Sequence, residues 1–210
     1  MRKLTATASS LAVAVVAAAS LTAAPAQADG LGQTSLAEVL AADGLEFDET
    51  WTDFDILDQA VNDVIAAKPN SAVAVLADGS VRLTAFAPTD RAFRRLVEDI
   101  TGSKPDDEAS AYDTLSTVGV DTIESILLYH VVPGAPIDYR SATKAGGAKL
   151  ETANGKRLEV DYRKKKGLVY LVDKDRNDKN AFVLRPAKNI NKGNRQIAHG
   201  VSAVLRPVDL

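Results

Sequence analysis

Phe54, Leu57, Val61, Val64 and Ile65 recur at intervals of three and four, a spacing that gathers them on one face and predicts an amphipathic helix over 53–67. Pro69-Asn70 ends it. Alternating Ala72-Val73-Ala74-Val75-Leu76, the pair Asp78-Gly79 and the apolar run 81–86 then read as strand, tight turn and strand. Ala87-Pro88 closes the second strand. Thr89 is placed to cap, through its hydroxyl, a helix whose inward face is Phe93, Leu96, Val97 and Ile100 and which breaks near Gly102. After a polar loop with Pro105 come a short helix over 109–115 and a helix over 122–129. The latter opens on Asp121-Thr122-Ile123-Glu124, which resembles a capping box with Asp in place of Ser. Beyond Pro133-Gly134 the period drops to two. Segments 148–152, 158–162 and 168–172, joined by Asn154-Gly155 and by the basic turn 164–167, predict a three-stranded meander, and short runs at 182–184, 189–191 and 197–205 follow until Pro207. Helices early and strands late make the fold class α+β, and the lack of an internal repeat favours one domain.

The first 28 residues have a different pattern. Met1, Arg2 and Lys3 supply a positive start, the stretch 11–21 is apolar and mostly Ala and Val, and Ala26-Gln27-Ala28 offers the small residues that signal peptidase requires. We read 1–28 as a secretory signal peptide cleaved before Asp29. Its Ala-rich apolar part is too weak for a retained anchor, so no stable membrane insertion is expected after cleavage. Residues 29–50 then form an acidic lead-in with a short helix around 36–40.

Charge and cysteine content narrow the function. The 210-residue chain carries 25 basic and 28 acidic side chains; removing the signal takes two basic and no acidic residues and leaves a net charge of −5. Such a balance excludes nucleic acid as the main partner, since phosphate binding needs a basic surface. The acids concentrate early, with no Lys or Arg over 29–59, and the cations late, over 140–206. With no cysteine, the chain can hold neither a disulfide nor a thiolate-bound metal, and its core must supply its stability.

Two segments carry a resemblance. Leu83-Thr84-Ala85-Phe86-Ala87-Pro88-Thr89-Asp90-Arg91-Ala92-Phe93 resembles the first signature block of the fasciclin domain family, and Ile126-Leu127-Leu128-Tyr129-His130-Val131-Val132-Pro133-Gly134 resembles the second. A third stretch, 197–207, is similar to the family's terminal strand, with Ser202 where an acidic residue usually stands. The resemblance implies a single fasciclin-like domain over 51–208, a wedge-shaped β-sandwich of short strands flanked by helices, with Phe86, Pro88, Thr89, Asp90, Phe93, His130, Pro133 and Gly134 as structural signature. The insert over 70–80 and the long basic hairpin look peculiar to this chain. The resemblance also implies an extracellular binding or adhesion module rather than an enzyme, engaging a cell-surface, matrix or glycan ligand.

Candidate binding residues follow from both sources. The pair Tyr129-His130 is implicated in receptor contact among animal relatives, although a structural imidazole with its hydrogen bonds satisfied inside the fold is the simpler reading. His199, in a predicted strand, reads as structural. Lys164, Lys165 and Lys166, after Arg163, could grip an anionic protein, polysaccharide, phospholipid or teichoic-type polymer. Trp51 and Phe54 fit a sugar-stacking platform or the core, and the helical spacing of their neighbours favours the core. The loop Asp173-Lys174-Asp175-Arg176-Asn177-Asp178 starts like a calcium loop but has Asp178 where Gly is needed and Leu184 where a closing Glu belongs, so no metal is expected. No nucleophile elbow, zinc-protease or phosphate-loop motif occurs, and no cofactor or catalytic residue is assigned. A secreted hydrolase using paired carboxylates and a carrier of a small hydrophobic or porphyrin-like ligand stay open as alternatives.

Overall fold

Strand β1 (Leu83–Pro88) is buried at all six positions because both of its faces are covered. It is the middle strand of a three-stranded sheet, antiparallel to β2 (Val131–Pro133) on one side and parallel to β7 (Gln196–Val201) on the other. The computed structural model describes residues 30–208 apart from 43, 45, 49, 176 and 177, so the expected signal peptide lies outside the described residues. Strand periodicity sorts β1 between two cores. Leu83, Ala85 and Ala87 face helices α2 (Asp55–Ala67), α3 (Asp90–Thr101), α4 (Glu108–Ser116) and α5 (Val120–Tyr129). Phe86 faces the opposite way, onto a second, antiparallel sheet.

That second sheet has the order β3 (Lys149–Glu151), β4 (Arg157–Arg163), β5 (Leu168–Val172), β6 (Ala181–Phe182). Leu158, Val160, Val169 and Leu171 alternate inward from β4 and β5 to meet Phe86, Tyr129, Val132 and Leu205. Full burial of each of the larger of these side chains contributes roughly 1.5–3 kcal/mol. Helices, the sheet of β1 and the second sheet thus form three layers, with helix α6 (Tyr139–Lys144) beside β4 and β5. The α+β class and the helix-flanked sandwich of a single domain are as expected; α6, opened by Asp138 through its acceptance of the Ser141 N–H, was not foreseen.

Several local expectations give way to the tertiary structure. Residues 72–76 are not a strand: Ala72–Ala77 is a 3₁₀ helix, capped by the Ser71 hydroxyl, that turns Val73 and Leu76 inward at a spacing of three. Neither side of β1, the strand it was expected to pair with, was open to it, since β2 and β7 occupy both. The helix expected over 122–129 begins two residues earlier behind Gly119, and Asp121 and Glu124 hold Lys68 at the end of α2 instead of forming a capping box. Ile100, expected to be inward, is 50% exposed, because it lies in the last turn of α3 beyond the stripe of Phe93, Leu96 and Val97. The run 189–191 contributes only an isolated bridge, Ile190 to Ala198, and regular pairing of the last strand stops at Val201.

The acidic lead-in is docked through its described part. Helix α1 (Leu36–Leu40) carries a complete capping box between Ser35 and Glu38 and buries Leu36 in the helical core. Gln196 of β7, itself fully buried, accepts the Leu36 N–H at 2.8 Å and donates to the carbonyls of Val75 and Asp78 at 2.7 and 2.8 Å. Gly79 is required here: a Cβ at this position would sit 1.7 Å from the Gln33 carbonyl oxygen. Gly79→Ala should therefore cost about 1–3 kcal/mol by pushing the lead-in off the body, read as a lower urea midpoint; an unchanged midpoint would show that this docking contributes nothing.

Candidate functional site

The two signature blocks meet where β1 runs into α3 and α5 runs into β2. The Phe86 N–H donates to the His130 carbonyl at 2.9 Å, joining them directly. Thr89 was expected to cap α3 with its hydroxyl, and it does not. The helix starts are satisfied across the interface instead. Asp90, at the first position of α3, accepts the N–H groups of Asp55 and Ile56 at 3.2 and 2.9 Å and so caps α2. In return the N–H groups of Asp90 and Arg91 donate to the carbonyls of Asp53 and Trp51 at 3.1 and 2.9 Å. The first residue of α3 thus closes orphan donors of α2, and the segment leading into α2 closes those of α3, which explains why an acid follows Thr89.

Asp90 is completely buried, and its carboxyl oxygens lie within 4.8 Å of those of Asp53 and Glu108. Burial first, and then the Asp53 carboxyl, pushes Asp90 up to about 9. A desolvated acid beside a second acid is what the hydrolase alternative needs, but both Asp90 oxygens are held by helix amides and none of the large surface hollows reaches it.

His130 is 4% exposed and bonded at both nitrogens. Nδ1–H donates to the Ile126 carbonyl and Nε2 accepts the Leu205 N–H, each at 2.8 Å, so the ring is neutral and ties the end of α5 to the C-terminal arm. Burial holds it down at about 4, with the bond to Ile126 opposing. Tyr129 is fully buried and donates its hydroxyl to the Arg157 carbonyl at 3.1 Å. Neither ring of the Tyr-His pair is presented at the surface. His199 is likewise internal, stacked near Phe86 and placed between the Asn189 N–H and the Ile137 carbonyl.

The loop that begins like a calcium site is organised by an arginine. Arg206 pairs with Asp99 at 2.6 Å and with Asp175 at 2.8 Å, reaches Asp178 at 3.5 Å, and its N–H donates to Asp173 at 2.9 Å. Asp175 is buried, because the guanidinium takes the place a cation would fill. Ser202, standing where an acid usually does, accepts the Phe182 N–H on its hydroxyl at 3.0 Å.

Lys164, Lys165 and Lys166 lie exposed at the tip of the β4–β5 hairpin. The tip is held in place. Tyr139 donates its hydroxyl to the Gly167 carbonyl at 3.1 Å, and Arg185 donates to the carbonyls of Lys166 and Gly167 at 3.2 and 3.4 Å. Lys188 sits over the Tyr139 ring at 5.1 Å, and Arg163 over Tyr170 at 3.9 Å. Among the described residues none of Lys164, Lys165, Lys166, Arg185 and Lys188 has an acidic partner. Sequence reading found the three lysines and missed Arg185 and Lys188, which the fold delivers from about 20 residues away; the only signal was the late excess of cations.

The model of the fasciclin domain matches residues 58–207. The chain belongs to the fasciclin domain family. Its members are adhesion-type modules, typically extracellular and generally non-enzymatic. Among solved structures, a FAS1 domain pair from the insect cell adhesion molecule fasciclin I is similar to this fasciclin domain over 70% of the chain, at 17% identity and a TM-score of 0.43, and the chain spans 44% of that one. No curated protein matched the sequence. No helix among the described residues is long and apolar enough to cross a membrane.

The interior of this fasciclin domain is filled. The hollow between the helices and the first sheet, which His130 lines, measures about 30 Å³, and the one between the two sheets about 20 Å³. Sites for small ligands run to about 300–1,000 Å³, so a porphyrin-like molecule does not fit in either. The larger hollows, of about 420, 280 and 290 Å³, are surface grooves. Trp51, weighed as a sugar platform or as core, is half-buried: it packs on the helical core, carries the Arg94 guanidinium 4.1 Å from its ring and borders the 280 Å³ groove.

Proposed function

We propose that this protein is a secreted, extracellular binding module that holds an anionic cell-surface, matrix or glycan partner through the cationic face built on the β4–β5 hairpin. One observation carries the reading: five cations from two separate chain segments converge on one turn with no acidic partner among the described residues, while that turn is fixed by Tyr139 and Arg185. Gathering like charges costs free energy unless a counter-charge arrives, and a fixed turn loses little entropy when it does. Domain limits of 51–208, with 1–28 removed on export, belong to the same proposal. Tyr129 and His130 take no direct part, since they are spent on internal hydrogen bonds.

Immobilised polygalacturonate and an uncharged glucan of similar length test this. The full chain should retain on the acid polymer and not on the neutral one, and Lys164, Lys165 and Lys166 changed together to Ser should bind roughly tenfold less tightly and with a flatter salt dependence. Unchanged affinity in that variant would remove the hairpin from the function.

A further inference from the structure

Two of the surface hollows, of about 280 and 420 Å³, share Arg95, Phe182 and Ser202 in their walls and so form one trough between α3 and the segments that follow β5 and β7. Arg91 and Arg95 stand one helical turn apart along it, about 6 Å between their Cβ atoms. Both are exposed, and neither has an acidic partner among the described residues. Arg95 is aimed by a hydrogen bond to the Ser202 carbonyl at 3.0 Å, which leaves the rest of its fork available. Arg206, deeper in the wall, is outnumbered by Asp99, Asp175 and Asp178, so that end of the 420 Å³ hollow offers an anion no free cation among the described residues except Lys179, and the carboxylate-binding end is the one at Arg91 and Arg95. The aromatic members are braced as well: Arg94 covers Trp51 and is anchored on the Pro105 carbonyl, and Phe182 packs on Tyr170 with ring centres 5.6 Å apart.

We propose that this trough is a second binding site, which takes a linear acidic polysaccharide of the uronate type. Arg91 and Arg95 receive carboxylates of the sugar chain, and the accessible edges of Trp51 and Phe182 border its C–H surface. Guanidinium forks match carboxylates in geometry as well as charge, and flat rings bury apolar surface without demanding hydrogen bonds. An acidic peptide fits less well. Binding by strand addition is closed here: β6 pairs with β5 on one side, while on the other Ser202 N–H donates to the Phe182 carbonyl and Ser202 Oγ accepts the Phe182 N–H, which leaves an acidic peptide only the arginines. The inference rests on the proposed anionic partner for the ligand's charge and is independent of the hairpin.

Trp51 is the sole tryptophan of the chain, so its emission reports this trough and not the hairpin tip. Titrating the full chain with polygalacturonate should change that emission. Arg91→Gln with Arg95→Gln should abolish the change and weaken binding about tenfold, with the urea midpoint preserved because both side chains are exposed. The triple Ser variant of the hairpin should still give the full emission change at saturation. Binding without a change at Trp51, or an Arg91/Arg95 variant that matches the wild type in both readouts, overturns the trough, even where the hairpin variant loses affinity. An emission change that needs the arginines while the hairpin variant binds normally supports the trough and removes the hairpin. An equal response to polyglutamate overturns the sugar as occupant.

Discussion

Arg206→Met should destabilise the protein by about 3–5 kcal/mol, a larger loss than any surface ion pair could explain. The side chain of Arg206 is 5% exposed and that of its partner Asp175 only 2%, so the variant removes the counter-charge and leaves a carboxylate in a place water hardly reaches. The methionine keeps much of the stem's packing, which isolates the charge from the cavity. Adding Asp175→Asn removes that buried charge while keeping an acceptor for the Asp178 N–H, and should recover part of the loss. Urea denaturation of the two variants measures both numbers. A loss below about 1 kcal/mol for the single variant would place Arg206 among ordinary surface pairs and would mean that its guanidinium does not hold Asp175 and Asp178 in place.

His130 should make stability fall in acid, and His130→Gln should remove that part of the pH dependence. Above the unfolded value of about 6.5 the imidazole is neutral in both states, and its two bonds contribute in full. Between there and about 4 the unfolded chain takes up a proton that the folded one refuses, so each unit of falling pH favours unfolding. Over the whole window that amounts to about 3 kcal/mol. Asp90 and Asp173, pushed up to about 9 and about 6 chiefly by burial, have the opposite slope, because the folded chain holds their protons more tightly. The comparison is therefore variant against wild type at each pH. At pH 7.5 the Gln variant should be less stable by about 1–3 kcal/mol, and the gap should close or reverse by pH 4. A gap that stays constant with pH would mean that the buried ring is not what titrates.

Both residues bear on how the binding faces are held. Arg206 fixes Asp173, Asp175 and Asp178 beside the trough, and His130 fixes the C-terminal arm on which Arg206 sits. Loss of either should loosen the trough without touching Arg91 or Arg95. The hairpin cations depend on a different support, through Tyr139 and Arg185.

The elements legible in the chain are those whose residues answer a local question. Helix α2 shows in the spacing of Leu57, Val61 and Val64, and β4 and β5 show in the alternation of Leu158, Val160, Val169 and Leu171 about a basic turn. Where the decisive partner is distant, the local signal misleads. Residues 72–76 alternate like a strand, but their expected partner was β1, and β2 and β7 occupy both of its sides. Thr89 looks like a cap, but the donors of α3 are met by carbonyls 37 and 40 residues earlier, and the acid beside it serves another helix.

By itself, then, the sequence determined the class of fold, the family, the absence of disulfides and the three lysines of the hairpin, because periodicity, turn chemistry and composition are read from near neighbours. The tertiary structure alone decided which acids are buried and against what, that Tyr129 and His130 are spent inside, that Arg185 and Lys188 join the hairpin, and that Arg91, Arg95, Trp51 and Phe182 border one trough. Those facts depend on which distant segments share a face, and burial and charge pairing are properties of that shared face rather than of any stretch of chain.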